Sequence, residues 1–201
     1  MSVLARITSQ IEISGLMITS ACTRTAPGCI GHKIDLGAAS SGVLDARSDD
    51  DTGNIACTDH GFDTGAVVDA YWDGGRRYGM NLTRVDADNV LLDSGDGDVL
   101  PAQGTSVKFC EQTDLDTDFA GDLMKALVAH CDQRACICLK TAGGTVELVL
   151  DLVAGEAQSW IDDGMAANPI AGDTIAKATL SQANADNAAT IQLGILYNST
   201  P

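Results

Sequence analysis

Three carboxylates stand together in the run Asp93-Ser94-Gly95-Asp96-Gly97-Asp98. Hard oxygen donors on a glycine-bent loop suit Ca2+, so Asp93, Asp96 and Asp98 are the candidate metal ligands of this chain. The loop is not an EF-hand, because Gly104 stands at the twelfth position, where that motif needs a bidentate Glu. The competing reading is a solvated hairpin loop in which Asp bonds nearby backbone. Ser48-Asp49-Asp50-Asp51 is a weaker form of the same idea. Apart from calcium, the sequence suggests no cofactor.

The thiols come next. Cys22, Cys29, Cys57, Cys110, Cys131, Cys136 and Cys138 make an odd set of 7. An odd number disfavours a disulfide framework and favours reduced, buried thiols. Cys136-Ile137-Cys138 is a C-x-C, not the C-x2-C of a zinc knuckle. On a strand the two thiols share one face, and a zinc site there would need Cys131 and His130 to join them. Buried small hydrophobes are the preferred reading. Cysteine catalysis needs a thiolate beside a base, and no spacing pairs His32, His60 or His130 with a cysteine. His60 precedes Gly61 in a turn, where it is expected to support the loop. No nucleophile elbow, phosphate loop, dinucleotide fingerprint or H-E-x-x-H occurs, so the chain is expected not to be an enzyme. Trp72 stands near Arg76 and Arg77. That neighbourhood suits either a carbohydrate or protein contact or a barrel-core Trp, and the core is preferred.

Charge narrows the partners. The formal net charge is −16, from 12 basic and 28 acidic residues. A nucleic-acid binder needs clustered Lys and Arg, which are scattered here. The same acidity repels anionic membranes but admits a basic protein surface or cations. Residues 1–18 lack a continuous hydrophobic stretch, and no apolar run reaches the ~18–20 residues that span a bilayer. These features predict a soluble chain made in the cytosol, with neither nucleic acid nor membrane as a partner.

The elements that must position these residues read as strands. Ile11 and Ile13 alternate with polar neighbours, and Gly15 is expected to break or bulge that strand. Ile30, His32, Ile34 and Leu36 share a face. Tyr78, Met80 and Leu82 do the same after the hairpin turn Asp73-Gly74-Gly75. Val107 and Phe109 form the inner face of a closing strand. Later, Ala135, Ile137 and Leu139 oppose Cys136 and Cys138. Val146, Leu148, Leu150 and Leu152 form one face, as do Ile191, Leu193, Ile195 and Tyr197. Residues 111–118 read as a linker. Phe119, Leu123 and Leu127 fall at i, i+4 and i+8, which predicts a helix over 119–130 capped by Asp118. The fold class expected is all-β with that one short helix, a β-sandwich carrying an inserted small antiparallel barrel. Residues 1–57 and 111–201 make the sandwich, and 58–110 the barrel. Phe119, Leu123, Leu127 and Trp72 are the expected interface residues.

Two stretches carry a family resemblance. His60-Gly61-Phe62-Asp63-Thr64-Gly65-Ala66-Val67-Val68, followed by Tyr71 to Met80 and Val90-Leu91-Leu92, resembles small β-barrel modules of tailed-phage and prophage structural proteins. Asn168 to Asp173 and Leu193 to Asn198 resemble phage-like proteins of similar length. The resemblance implies a virion structural protein, assembled in the host cytoplasm, with no catalytic residues to transfer. A capsid decoration (cement) protein is the leading expectation. A tail-tube or neck subunit, or a carbohydrate- or calcium-binding surface module, is the alternative. Expected partners are capsid or other virion proteins and further copies of the chain, as a trimer by preference. Self-association would cover sheet edges and supplement thin aliphatic cores.

Overall fold

The computed structural model describes residues 6–13, 16–23, 27–95, 99–115, 123–141, 143–161 and 177–198. Every regular element among them is a β-strand, and the chain divides into two compact units. The first unit comprises Met1–Leu36, Asp114–Leu180 and Ala189–Pro201; the second comprises Gly37–Thr113 and Ser181–Ala188.

The first unit holds two four-stranded sheets and a hairpin. The hairpin pairs β1 (Arg6–Ile13) with β2 (Leu16–Thr23) up to the partners Ile13 and Leu16; Gly15 lies outside the described residues. One sheet runs β14 (Ala157–Ile161), β11 (Leu123–Cys131), β16 (Ala189–Asn198), β3 (Pro27–Leu36). The other runs β10 (Thr113–Leu115), β15 (Lys177–Gln182), β12 (Ala135–Lys140), β13 (Val146–Leu152). Both sheets send alternate residues into one aliphatic core. Leu127, Ala129, Cys131, Ile191, Leu193 and Ile195 come from the first sheet; Leu115, Ile137, Leu139, Leu152 and Leu180 come from the second. Two sheets sharing one core is the layout of a sandwich. Leu148 and Leu150 pack against this core, whereas Val146 is exposed beyond a register shift opposite Leu139 and Lys140. The stretch read as a linker contains β10, whose Leu115 is buried.

The expected helix over 119–130 is corrected. Residues 123–131 are strand β11, hydrogen-bonded on one side to β14 and on the other to β16; residues 118–122 lie outside the described residues. The apolar residues fit both periods. Leu123 and Leu127 satisfy a helical stripe, but Leu127, Ala129 and Cys131 also alternate, and all three are buried. Two waiting ladders satisfy the backbone and override the local helix preference.

The second unit is a closed barrel in the order β4 (Ser40–Arg47), β5 (Thr52–Ala56), β8 (Asn89–Asp93), β7 (Gly75–Arg84), β6 (Val67–Trp72), β9 (Ser106–Glu111). Every pairing around it is antiparallel, and β4 with β9 closes the ring. Strands β4 and β5, assigned above to the sandwich, are barrel strands. Leu44, Ile55, Val68, Met80, Leu92, Val107 and Phe109 fill the interior. A six-stranded barrel is narrow enough for side chains alone to fill it.

One face assignment changes here. Met80 and Leu82 are buried as expected, but Tyr78 is only half-buried and is not among the core residues. The register shifts between Val68–Met80 and Ala70–Arg77, so Tyr78 and Gly79 together oppose Asp69. Gly79 adopts φ +69°, the left-handed conformation that lets one extra residue bulge.

Candidate functional site

At one end of the barrel, the turn Ser48–Asp51 lies beside Asp93 and Ser94. β5 begins where β8 ends, and Thr52 pairs with Asp93. Ser94 donates both its N–H and its hydroxyl to the Asp51 carbonyl, each at 3.0 Å. Asp49 Oδ1 accepts the backbone N–H groups of Thr52 at 2.6 Å and Asp51 at 3.2 Å, which builds the tight turn. Arg47 closes it by donating to the Asp50 carbonyl at 2.7 Å and carboxylate at 3.0 Å. The carboxyls of Asp49 and Asp51 meet. A hydrogen bond from Asp51, then the Thr52 N–H, holds Asp49 below the ordinary carboxylate range. The contact with Asp49, then burial and the charges of Asp49 and Asp93, pushes Asp51 up. Of the predicted calcium ligands, Asp93 sits at the end of β8, while Asp96 and Asp98 lie outside the described residues. Among the described residues no group of three or more His, Cys, Asp or Glu is placed to hold a metal ion.

The opposite kind of environment surrounds Asp69, which the sequence reading did not single out. Asp69 is fully buried, on the outer side of the barrel wall between the inward residues Val68 and Ala70. Its Oδ1 accepts the bulge N–H of Gly79 at 2.8 Å and the side-chain amide of Gln112. Its Oδ2 accepts the hydroxyl of Ser181, also fully buried. Ser181 has one hydroxyl proton and gives it to Asp69, so Tyr71, 2.6 Å away, must donate to Ser181. Each of these contacts is a donor, the set an ionised carboxylate needs. A serine beside a carboxylate invites comparison with a nucleophile and its base. Here the serine proton is already committed and both groups are sealed, so the arrangement is a clasp. It fastens Ser181 to β6, β7 and the residue following β9. The available sequence signal was an Asp within the apolar run Val67-Val68-Asp69-Ala70.

The histidine and tryptophan expectations also acquire positions. His60 is buried; its Nδ1 lies 3.0 Å from the Phe62 N–H, and its Nε2 lies 2.9 Å from the Asp86 carbonyl. The Phe62 N–H can only donate, so Nδ1 accepts and Nε2 carries the proton to Asp86. His60 thus ties its own loop to the β7–β8 turn, as do the N–H groups of Cys57 and Asp59 bonded to Asp88. Trp72 packs against the barrel core with the Arg77 guanidinium 5.8 Å from its ring centre. Arg77 in turn donates to the carbonyls of Arg76 and Val99. A Cβ at Gly75 would come within 2.4 Å of the indole nitrogen, so glycine makes the room. Trp72 is therefore a half-buried residue packed on the barrel core.

The remaining expected contacts divide. Leu127 is a core residue, 2% exposed, and Leu123 lies on β11; Phe119 falls outside the described residues. Cys57, Cys110, Cys131, Cys136 and Cys138 are buried and in no disulfide. Burial pushes the thiols of Cys57, Cys110 and Cys131 up, away from the reactive thiolate. Cys131 enters the sandwich core and does not join the Cys136–Cys138 pair in a metal-binding group.

Comparison with protein-family models, curated proteins and solved structures finds no match to this chain. The class is thus defined by the fold: an all-β protein that combines a sandwich-like pair of sheets with a closed six-stranded barrel.

Proposed function

We propose that this chain is a non-enzymatic structural subunit of a phage-like particle, most concretely a capsid decoration protein acting through protein–protein contacts. The observation that supports this reading is the supply of strand edges. The two open sheets end in β10 and β13, and in β14 and β3. An edge presents backbone donors and acceptors that a neighbouring chain can pair or cover. A repeating lattice offers such neighbours, and closed symmetric rings are the common solution, with a trimer preferred here. The net charge of −16 keeps free subunits apart and soluble. Docking then requires basic patches or cations on the receiving capsid surface. The turn-and-strand resemblance of residues 60–80 points to the same class.

Mass spectrometry of purified particles tests the proposal. The chain should be present at a copy number matching the capsid lattice. Absence from the particle overturns the reading, and a much lower, ring-like copy number assigns the chain to the tail tube or neck. Light scattering of the isolated protein at micromolar concentration tests self-association, with a monomer at both low and moderate salt overturning the trimer.

A second reading is favoured by one observation: Asp93 pairs with Thr52, and Ser94 bonds the Asp51 carbonyl, which brings Asp51 and Asp93 close together. Calcium at that end would take the place of the proton that the contact with Asp49, then burial and the charges of Asp49 and Asp93, favour on Asp51. Melting curves with and without calcium should then separate, and D93N should remove the difference. Coincident curves overturn it.

A further inference from the structure

We propose that Cys136 and Cys138 form a two-thiolate site for a soft monovalent metal ion, copper(I). Every side chain of β12 is buried. Ala135, Ile137 and Leu139 enter the sandwich core, so Cys136, Cys138 and Lys140 occupy the other face. There the two sulfurs stand 4.0 Å apart, on residues 1% and 0% exposed. Thr179 on the neighbouring strand β15 shares that face, since Ala178 and Leu180 on either side enter the core. Its hydroxyl is buried without a hydrogen-bond partner. Lys140, also buried, is the next residue along the same face.

Metal–thiolate bonds are about 2.3 Å long for zinc, so one ion can bridge two sulfurs up to about 4.6 Å apart. A separation of 4.0 Å therefore admits a single ion with a bent sulfur–metal–sulfur angle. Zinc does not suit the pair, because its closed sites take four protein ligands and no third candidate ligand converges among the described residues. Soft thiolates select copper(I), which is satisfied by two of them. Binding converts two thiols and Cu+ into one bis-thiolate complex of net charge −1 and releases two protons to solvent; no electron is transferred. A buried anion needs compensation. Lys140 supplies a positive charge on the same face.

The test uses the full chain, produced with and without added copper and handled without oxygen. One copper per chain should survive a wash with bicinchoninate, a copper(I) chelator. X-ray absorption should show two sulfur neighbours and no nitrogen or oxygen shell. C136S and C138S should each retain at least tenfold less copper, while C57S and C110S retain the wild-type amount. Copper lost from the wild-type protein in the wash overturns the proposal, as does equal retention by C136S and C138S. If the serine variants fail to fold, the wild-type absorption spectrum decides, and a shell of nitrogen or oxygen neighbours overturns the site.

Discussion

A carboxylate buried on the outer side of a barrel wall is tolerable only if its oxygens are occupied. At Asp69 that is done by Gly79, Gln112 and Ser181. The network predicts a graded response. D69A leaves several buried donors without an acceptor and should destabilise the second unit by about 3 kcal/mol. S181A removes one donor and should cost about 1–2 kcal/mol. Y71F should cost less than about 1 kcal/mol, because Ser181 keeps its bond to Asp69 and loses only the one it accepts from Tyr71. Urea denaturation of the three variants checks the order D69A, S181A, Y71F, and a Y71F as damaging as D69A would show that the clasp is wrongly described. His60 makes a second residue-scale prediction. H60A orphans the Phe62 N–H and the Asp86 carbonyl, both near the buried ring, and should cost roughly 1–3 kcal/mol. A stability within 0.3 kcal/mol of wild type, taken as about the error of such comparisons, would mean that the loop does not depend on it. The role of His60 in its loop was legible from the His60-Gly61 turn. The clasp was not, because Asp69 and Ser181 are 112 positions apart and nothing local links them.

Strand alternation carried most of the architecture. Val107 with Phe109, Ile137 with Leu139, and Ile191 with Leu193 and Ile195 occupy the buried faces that their period-two spacing requires. Two features escaped that logic for physical reasons. At β11, nine residues fit both a helical stripe and a strand, and the deciding factor was the pair of neighbouring ladders, which no local window contains. At β7, the Gly79 bulge shifts the phase of the strand, so Tyr78 leaves the face that Met80 and Leu82 keep. The glycine within a strand pattern was the available signal. Close approach of strands gives the element-scale prediction. A Cβ on Gly42 would lie 2.5 Å from the Ala56 carbonyl oxygen and 2.6 Å from an Ile55 methyl, with backbone as one obstacle. Nothing lies within 4 Å of one on Gly37. G42A should therefore force β4 from β5 and cost about 1–3 kcal/mol, whereas G37A should be neutral within about 0.5 kcal/mol. Thermal melts of the two variants check this, and equal effects would mean that β4 and β5 are not so closely apposed.

Over the whole molecule, the acidic composition acts in two opposing ways as pH falls. Protonating carboxylates relieves the self-repulsion of a chain carrying −16. Yet several carboxylates are held ionised by the fold. Asp35 is held below its ordinary value by the Thr190 hydroxyl and then by Lys33. Asp86 is held down by the Asn89 side chain and then by the Asp88 N–H, and Asp49 by its contacts with Asp51 and Thr52. A lowered folded value means that the unfolded chain takes up protons first. The stabilisation from these three groups is present above the ordinary value of 3.8 and is lost as pH falls through their folded values. Asp51, raised by Asp49, acts with the opposite sign and favours folding at low pH. Salt separates the two effects. At 1 M salt the screening length is about 3 Å, so long-range repulsion disappears while the short hydrogen bonds persist. In 1 M salt the melting temperature should therefore drop between about pH 5 and pH 3. D86N isolates one contributor. Asp86 accepts the Asp88 N–H at 2.8 Å and the Asn89 side chain at 3.0 Å through Oδ1, and the Asn89 side chain again at 3.1 Å through Oδ2; an amide has one oxygen and no charge to offer them. The variant should melt below wild type at neutral pH, show a flatter acid limb, and converge with wild type as pH falls through the lowered folded value of Asp86. Parallel curves across that range would show that Asp86 contributes no pH-dependent stability and that the turn holding His60 is fixed by its backbone bonds alone.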